Sequence, residues 1–415
     1  MASAVDTDTI LVVGGGLAAA RFAIEYRAAG GEAPLTILSA DGDPPYHRPP
    51  LTKGFLRGEV ERDGTYVQPA KAYEDDVVEL RLGVTVEGID PDGHVVSLER
   101  GEPLPYGTLV LATGARPRQL PLPGADLVGV HTYRTLVDAD AVRTAAGEAR
   151  AAIVVGGSFI GAETAASLRL RGLDVALVEM GPLLMPQLHC PELSTELADF
   201  YREQGVEVMV DAELEELTGN GRLLTGARTR DGRTVEGYLA VVGIGVVPNV
   251  ELAEAAGAEV DDGIVVDERF RTSLPDVYAI GDVARYPDPT AGRLRRIEHW
   301  SNANAHGEHL GRQLAGSPDP YDRLPAFFTQ LFDKSFRVLG DVEEAAECVL
   351  RGSLADGRVL GFHLAEDGRL VGAVVHGQAE DVVAELDALL RARPVVEDRA
   401  RLVDENLRPA EAVGA

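Results

Sequence analysis

Two glycine clusters are the first residues in this chain whose types and spacing imply chemistry. Gly14-x-Gly16-x-x-Ala19 lies in ILVVGGGLAAARFA (10–23), and Gly156-x-Ser158-x-x-Gly161 lies in AIVVGGSFIGAETA (152–165). Such a cluster binds a pyrophosphate: the first glycine permits a tight turn, the second lets backbone approach the phosphates, and the third small residue lets helix pack on strand. The anion then rests on the free N–H groups and dipole of a helix N-terminus. Ser158 keeps its N–H, although its side chain crowds the phosphate approach; Ile160 and Gly245 are counted with this second nucleotide site. An acid about 20 residues further on is expected for the ribose hydroxyls. Glu179 ends the next apolar run of the second cluster, where a carboxylate repels a 2′-phosphate. No Lys or Arg occurs from 180 to 201 to welcome one, which favours NADH over NADPH. In the first cluster the run ends at Ser39, and Asp41 is the nearest candidate, against the alternative of a solvated loop aspartate.

The elements that position these clusters repeat. At an offset of 142 residues the chain twice shows a short apolar run, glycines, an alanine-rich stretch and a second apolar run, LTILS (35–39) and VALVE (175–179). Continuous apolar runs read as buried parallel strands. A lone glycine motif is weak, but two in strand–turn–helix context predict two Rossmann-like domains in an α/β chain. From Leu324 onward the pattern changes to alternation with Asp356-Gly357 and Asp367-Gly368, which predicts antiparallel hairpins. An amphipathic helix over 379–394 completes a terminal α+β unit. The expected domains are 1–118 with 243–318, 119–242, and 319–415.

Composition narrows the class. A chain of 415 residues with a net charge of −28 is long enough for two or three domains, and its acidity counts against nucleic acid or an anionic membrane as partner. The run from Ile10 to Ile24 is broken by glycines and Arg21, short of the ~18–20 apolar residues a membrane span needs. Asp6 and Asp8, with no Lys or Arg before that run, have the wrong charge for a signal peptide, so the expected location is cytoplasmic. Two cysteines, Cys190 and Cys348, offer neither a disulfide framework nor a CxxC metal pair, and no metal site is expected.

PPYHRPPLTKGFL (44–56), LATGARPR (111–118), VVGGSFIGAE (154–163), VYAIGDVA (277–284) and RIEHWSNANAHG (296–307) resemble the glutathione-reductase-fold flavoproteins. Within them the chain is similar to the ferredoxin/rubredoxin reductase and apoptosis-inducing-factor-like branch. The resemblance covers nearly the whole chain. It implies an FAD domain split by an inserted NAD domain, then a C-terminal interface domain, with the first cluster for FAD and the second for NADH. It places Arg48 and Lys53 beside the flavin and Thr113, Gly114 and Arg116 against the FAD. Asp282 would bond the ribityl chain, Glu163 would face Lys53, and Glu298, Trp300 and Asn302 would line the flavin's other side. Lys53, Glu163 and Trp300 are the expected catalytic residues; alone, Lys53 reads as a surface lysine and Asp282 as a helix cap.

Disulfide reductases of this fold carry a CxxxxC pair where this chain has RPPLTK. Neither Cys190 nor Cys348 lies there, they supply no closely spaced pair, and Cys190 reads as an incidental thiol. The resemblance therefore implies an NADH-dependent, FAD-containing reductase whose electrons leave singly to a [2Fe–2S] ferredoxin or similar carrier, serving a monooxygenase. The alternatives are an NADH oxidase or diaphorase and an apoptosis-inducing-factor-like flavoprotein. In the run Phe327–Asp333, Phe328 and Leu331 stand where this branch commonly has tryptophan and glutamine, a departure that bears on the acceptor; core packing is the other reading of that stripe. Arg293, Arg295 and Arg296 are the densest basic stretch near the motif and are expected to dock an acidic carrier. A homodimer is an assembly open to the chain.

Overall fold

Ile10–Val13 is buried along its whole length, as a strand covered on both faces must be. In the computed structural model, which describes residues 8–317 and 319–414, it pairs in parallel with Leu35–Ser39 and with Thr108–Leu111. Val78–Leu82 and Val277–Ala279 extend this parallel sheet at its two ends. The second echo builds the same sheet. Ala151–Val155 pairs in parallel with Asp174–Val178 and Leu239–Val242, and Val206–Met209 and Val130–Thr132 are the outer strands. One outer strand differs in origin: residues 277–279 come late in the chain, whereas 130–132 precede their own central strand. Each repeat also inserts a three-stranded antiparallel sheet, Val86–Asp90 with Val95–Leu98 and Leu104–Pro105, and Leu214–Asn220 with Leu223–Thr229 and Thr234–Glu236.

Residues 8–47, 62–116 and 246–323, apart from 318, form one compact unit. In it the helix Leu17–Ala28 is tied to the helix Trp300–Leu314 by Arg21–Glu308 at 2.7 Å and Arg312–Glu25 at 2.9 Å. The other unit gathers 48–61, 117–245 and 324–414. It contains a five-stranded antiparallel sheet in the order Ala326–Leu331, Lys334–Gly340, Leu370–His376, Arg358–Leu364, Glu347–Ser353. Gly357 and Gly368 sit at φ +70° and +81° in its Asp-Gly turns, the backbone such turns require. The helix Glu380–Ala392 buries Leu386, Leu389 and Leu390 in the core beneath Phe362 and Val375.

Grouping of 48–61 with the second unit has a plain cause. Tyr133 donates to the Leu51 carbonyl at 2.5 Å, Ser167 to the Thr52 carbonyl at 2.6 Å, and Arg171 to the Leu56 carbonyl at 2.9 Å. Among the described residues no helix is long and apolar enough to cross a membrane.

Candidate functional site

The two glycine turns have matching registers. Gly14 N–H donates to the Leu38 carbonyl and Gly156 N–H to the Val178 carbonyl, each at 2.8 Å. Gly14 has φ +116°, and a Cβ there would lie 2.2 Å from the Ala112 carbonyl oxygen; Gly156 has φ +102° and the Gly243 oxygen at 2.4 Å. Both positions accept glycine alone. Gly16 and Ser158 then start the helices Leu17–Ala28 and Phe159–Leu170 with φ −86° and −85°. That backbone needs no glycine, so serine is tolerated. Neither residue caps its helix with a side chain, which leaves the first-turn N–H groups to an external anion. Ala19 is fully buried against the first sheet. A Cβ at Gly161 would collide with the Gly156 oxygen at 1.8 Å. Dinucleotide phosphates fit these two cradles, whose walls a side chain would fill.

The registers also assign the ribose positions. Glu179 follows Val178 directly, and its carboxylate accepts from Gly157 N–H at 2.6 Å and Gly181 N–H at 2.7 Å. The residue after Leu38 is Ser39, whose side chain stands where a Cβ on Gly15 would be, 2.2 Å from its Oγ. Asp41 lies two residues beyond and turns into its own loop, accepting from Tyr46 Oη at 2.8 Å and Asp43 N–H at 3.2 Å. The position equivalent to Glu179 is thus Ser39, as the matched ends of LTILS and VALVE indicate. Ile160, in the first turn of its helix, is partly exposed beside Gly243, and Gly245, at φ +94°, accepts from Arg118 N–H at 2.9 Å.

In the first unit, Thr113 Oγ1 donates to the Asn249 carbonyl at 2.7 Å while Asn249 Nδ2 donates to the Thr113 carbonyl at 2.8 Å. Arg116 reaches Asn249 Oδ1 at 2.9 Å and Glu251 at 2.6 Å. Asn249 therefore clamps the Thr113-Gly114 turn, a role the sequence pattern did not signal. The Trp300 indole N–H donates to His47 Nδ1 at 2.9 Å, so that nitrogen is unprotonated; burial, reinforced by Arg21, lowers the His47 pKa. His47 lies inside PPYHRPP, and its quoted motif was the available signal. Asp282 is buried in the one-turn helix Gly281–Val283. Gly281 N–H donates to Nδ1 of the fully buried His306 at 3.2 Å. Asn302 is buried too, bonded to Tyr286 Oη at 3.1 Å and the Ile297 carbonyl.

The exposed-patch expectation for the arginines is corrected for two of the three. Arg295 is buried and paired at 3.0 Å with the fully buried Asp288. Arg296 spends its guanidinium on Asp262 at 3.2 Å and on Glu298, the residue expected to line the flavin pocket. The turn between Asp288 and Arg293 folds the basic stretch onto its own acids; only Arg293 remains exposed on the surface.

In the second unit the structure brings Lys53 and Glu163 together. Lys53 Nζ lies 2.5 Å from Glu163 Oε2, with both side chains about nine-tenths buried. Thr52 donates to Glu163 Oε2 at 2.6 Å, and Thr329, from the terminal sheet, donates to Oε1 at 2.7 Å. Both carboxylate oxygens thus have partners, Oε2 the ammonium and Thr52, Oε1 Thr329. Lys53 also donates to the Pro49 carbonyl at 3.3 Å; Arg48 begins this segment, in the same unit. Along Ala326–Leu331, Phe327 packs edge-on against Phe159 at 4.9 Å and Leu331 is fully buried, while Phe328 is 48% exposed. Core packing thus accounts for Phe327 and Leu331 but not for Phe328.

Burial of His306 makes stability depend on pH. Desolvation lowers its pKa from 6.5 to about 3. The unfolded chain therefore takes up the proton first as pH falls below 6.5, and stability is lost from there down towards pH 3. The slope is about 1.4 kcal/mol per pH unit. Urea unfolding read from Trp300, the chain's one tryptophan, should show this loss between pH 6.5 and 5, and His306→Asn should make it shallower, the rest coming from His299 and His363, each lowered to about 4 by burial.

Two parallel nucleotide folds in one chain, each with a glycine cradle at a helix start, define a dinucleotide-dependent oxidoreductase. The family model described as pyridine nucleotide-disulphide oxidoreductase matches residues 8–307, and the chain belongs to that family. It is 33% identical over 404 residues to rhodocoxin reductase of Rhodococcus erythropolis, covering 97% of this chain and 94% of that one. Putidaredoxin reductase of Pseudomonas putida is 31% identical over 411 residues, covering 98% and 95%. Among solved structures, the ferredoxin reductase for the CYP199A2 system of Rhodopseudomonas palustris superposes with a TM-score of 0.92 at 32% identity, covering 98% of this chain and all of that one. The reductase in the covalent putidaredoxin reductase–putidaredoxin complex gives 0.91 at 30% identity, covering 98% of each chain.

Proposed function

We propose that this chain is an FAD-containing, NADH-dependent ferredoxin reductase that passes electrons to a small [2Fe–2S] protein serving an oxygenase. The observation that carries the reading is the pair of nucleotide cradles in a chain whose Arg48–Phe55 segment holds no cysteine. The flavin, when bound, supplies the conversion of a two-electron hydride donor into one-electron steps. The turn at Gly14 and Gly16, with Ala19, Thr113, Gly114, Arg116 and Asp282, holds the FAD; Gly156, Ser158, Gly161 and Glu179 hold the NADH. Lys53, held by Glu163, is assigned to stabilise the reduced flavin, and the resemblance that assigns it gives Arg48 and Trp300 to the flavin as well.

The test is cytochrome c reduction by NADH with and without a [2Fe–2S] ferredoxin, beside a neutral dye that reads flavin reduction alone. Dependence on the ferredoxin is expected. Equal rates without it would return the oxidase or diaphorase reading. Arg293 is the part of the basic stretch that still suits an acidic carrier, and Arg293→Glu should raise the ferredoxin KM a few-fold at low salt only, since exposed charges are screened within ~8 Å at physiological ionic strength. An unchanged KM at low salt places docking elsewhere.

Glu179 sets the coenzyme. Its carboxylate disfavours a 2′-phosphate by about 1–3 kcal/mol, so kcat/KM should favour NADH at least tenfold over NADPH. Glu179→Ala should narrow that ratio chiefly by raising the NADH KM. Parity between the two coenzymes in the parent protein would sink the assignment.

A further inference from the structure

Cys190 and Cys348 are separated by 158 residues, yet their sulfur atoms lie 2.7 Å apart. This overturns the expectation that the two thiols supply no close pair. Cys190 is the residue before the helix Pro191–Glu203 and is 1% exposed; Cys348 sits on the edge strand Glu347–Ser353 and is half-buried. Both belong to the second unit. The contact is built from three sides. His363, opposite Cys348 on the neighbouring strand, bonds the Leu188 carbonyl at 2.7 Å and fixes the chain two residues before Cys190. Glu196, on the helix that Cys190 precedes, accepts from Leu354 N–H at 2.8 Å, just past the other strand's end. Gly361 clears the space: a Cβ there would stand 2.9 Å from Cys348 Sγ and 3.7 Å from Cys190 Sγ. Among the described residues no cluster of His, Cys, Asp and Glu could hold a metal, so metal ligation does not explain the pair.

We propose that Cys190 and Cys348 are a dithiol modification site that hydrogen peroxide oxidises to a reversible intramolecular disulfide. The half-buried Cys348 meets the oxidant. Its sulfur attacks one peroxide oxygen: an S–O bond forms, the O–O bond breaks, and the first water leaves with the thiol proton. Cys190 then attacks that sulfur: the S–S bond forms, the S–O bond breaks, and the departing hydroxide takes the Cys190 proton as the second water. Two thiols give up two electrons and one peroxide accepts them. In the reduced pair the hydrogen bond from Cys348 pulls the Cys190 thiol down while burial opposes it, and the same contact together with burial pushes Cys348 up, so the attack of Cys348 on the peroxide is the slow step.

The bond would have consequences along the chain. Between Glu179 and Cys190 the backbone is anchored by Met185 N–H to the Gly157 carbonyl at 2.8 Å, inside the glycine turn. A disulfide at Cys190 would therefore tie the segment leaving the nucleotide cradle to the terminal sheet. Closing so long a loop also restricts the unfolded chain, which should raise the unfolding midpoint of the second unit by several degrees.

The test uses the full-length flavin-loaded protein, reduced, desalted and exposed to hydrogen peroxide, then denatured with N-ethylmaleimide and weighed intact. The expected result is joint loss of both labels, a chain lighter by two hydrogen atoms, and a peptide linking residues 190 and 348. Dithiothreitol should restore two labels per chain and reverse the rise in melting temperature. Cys348→Ser should keep Cys190 from joining any intramolecular link and abolish the reversible melting shift. Two labels surviving peroxide in the parent chain, stepwise oxygen adducts without loss of two hydrogens, or links only between chains would overturn the proposal. Because the parent chain gives the deciding measurement, a poorly folding variant does not blunt it.

Discussion

Glu163→Leu should destabilise the second unit by about 3–5 kcal/mol, the cost of leaving a buried charge without its partner. Lys53 would keep only the Pro49 carbonyl, at 3.3 Å, in a setting where its side chain is 10% exposed. The hydroxyls of Thr52 and Thr329, which now donate to the carboxylate, would lose their acceptor as well. Lys53→Met combined with Glu163→Leu should recover the part of the loss due to the bare ammonium, because apolar groups of similar volume often replace a buried ion pair at little net cost, and leave the part due to the two hydroxyls. Flavin reduction by NADH should not recover with it if the ammonium is needed there. Urea unfolding and stopped-flow reduction of the single and double variants therefore separate the two roles. Recovery of both in the double variant would make the pair a packing device and remove Lys53 and Glu163 from the chemistry.

The parts of the fold that were legible are those in which local sequence and tertiary environment agree. Ile10–Val13 and Ala151–Val155 are continuous apolar runs because both faces of each parallel sheet are covered, and their glycines follow where the turn demands them. Asp-Gly at 356–357 and 367–368 marks hairpins for the same reason, since φ above zero favours that dipeptide. What was illegible depends on register and long-range approach. Asp41 read as the candidate ribose acid, yet its carboxylate accepts from Tyr46 and Asp43 within its own loop. Ser158 read as a compromised glycine, yet its extended φ of −85° carries a side chain without strain. Arg295 and Arg296 read as surface charge until the hairpin carried Asp288 back onto Arg295 and the fold brought Asp262 to Arg296. The cysteine pair joins residues 158 apart, beyond the reach of any spacing rule.

Gly14→Ala and Gly156→Ala should fail in different ways, and the difference is the informative result. Each glycine holds a positive φ, +116° and +102°, which costs an L-residue about 1–3 kcal/mol. Each alanine would also press its Cβ onto backbone, the Ala112 carbonyl at 2.2 Å or the Gly243 carbonyl at 2.4 Å, so the turn rather than a side chain must shift. A turn displaced from its register no longer presents its helix N-terminus to the phosphates. At a factor of ten per 1.4 kcal/mol, nucleotide affinity should fall about 10- to 100-fold at the altered site. Gly14→Ala should therefore purify with little or no flavin and regain colour only at high FAD concentration. Gly156→Ala should purify yellow, with its flavin absorbance unchanged, and show the loss as a raised NADH KM. Because Gly14 and Gly156 belong to separate compact units, neither substitution should transmit its full effect to the other nucleotide. Colourless Gly156→Ala beside a fully coloured Gly14→Ala would reverse the assignment of FAD to the first cradle and NADH to the second.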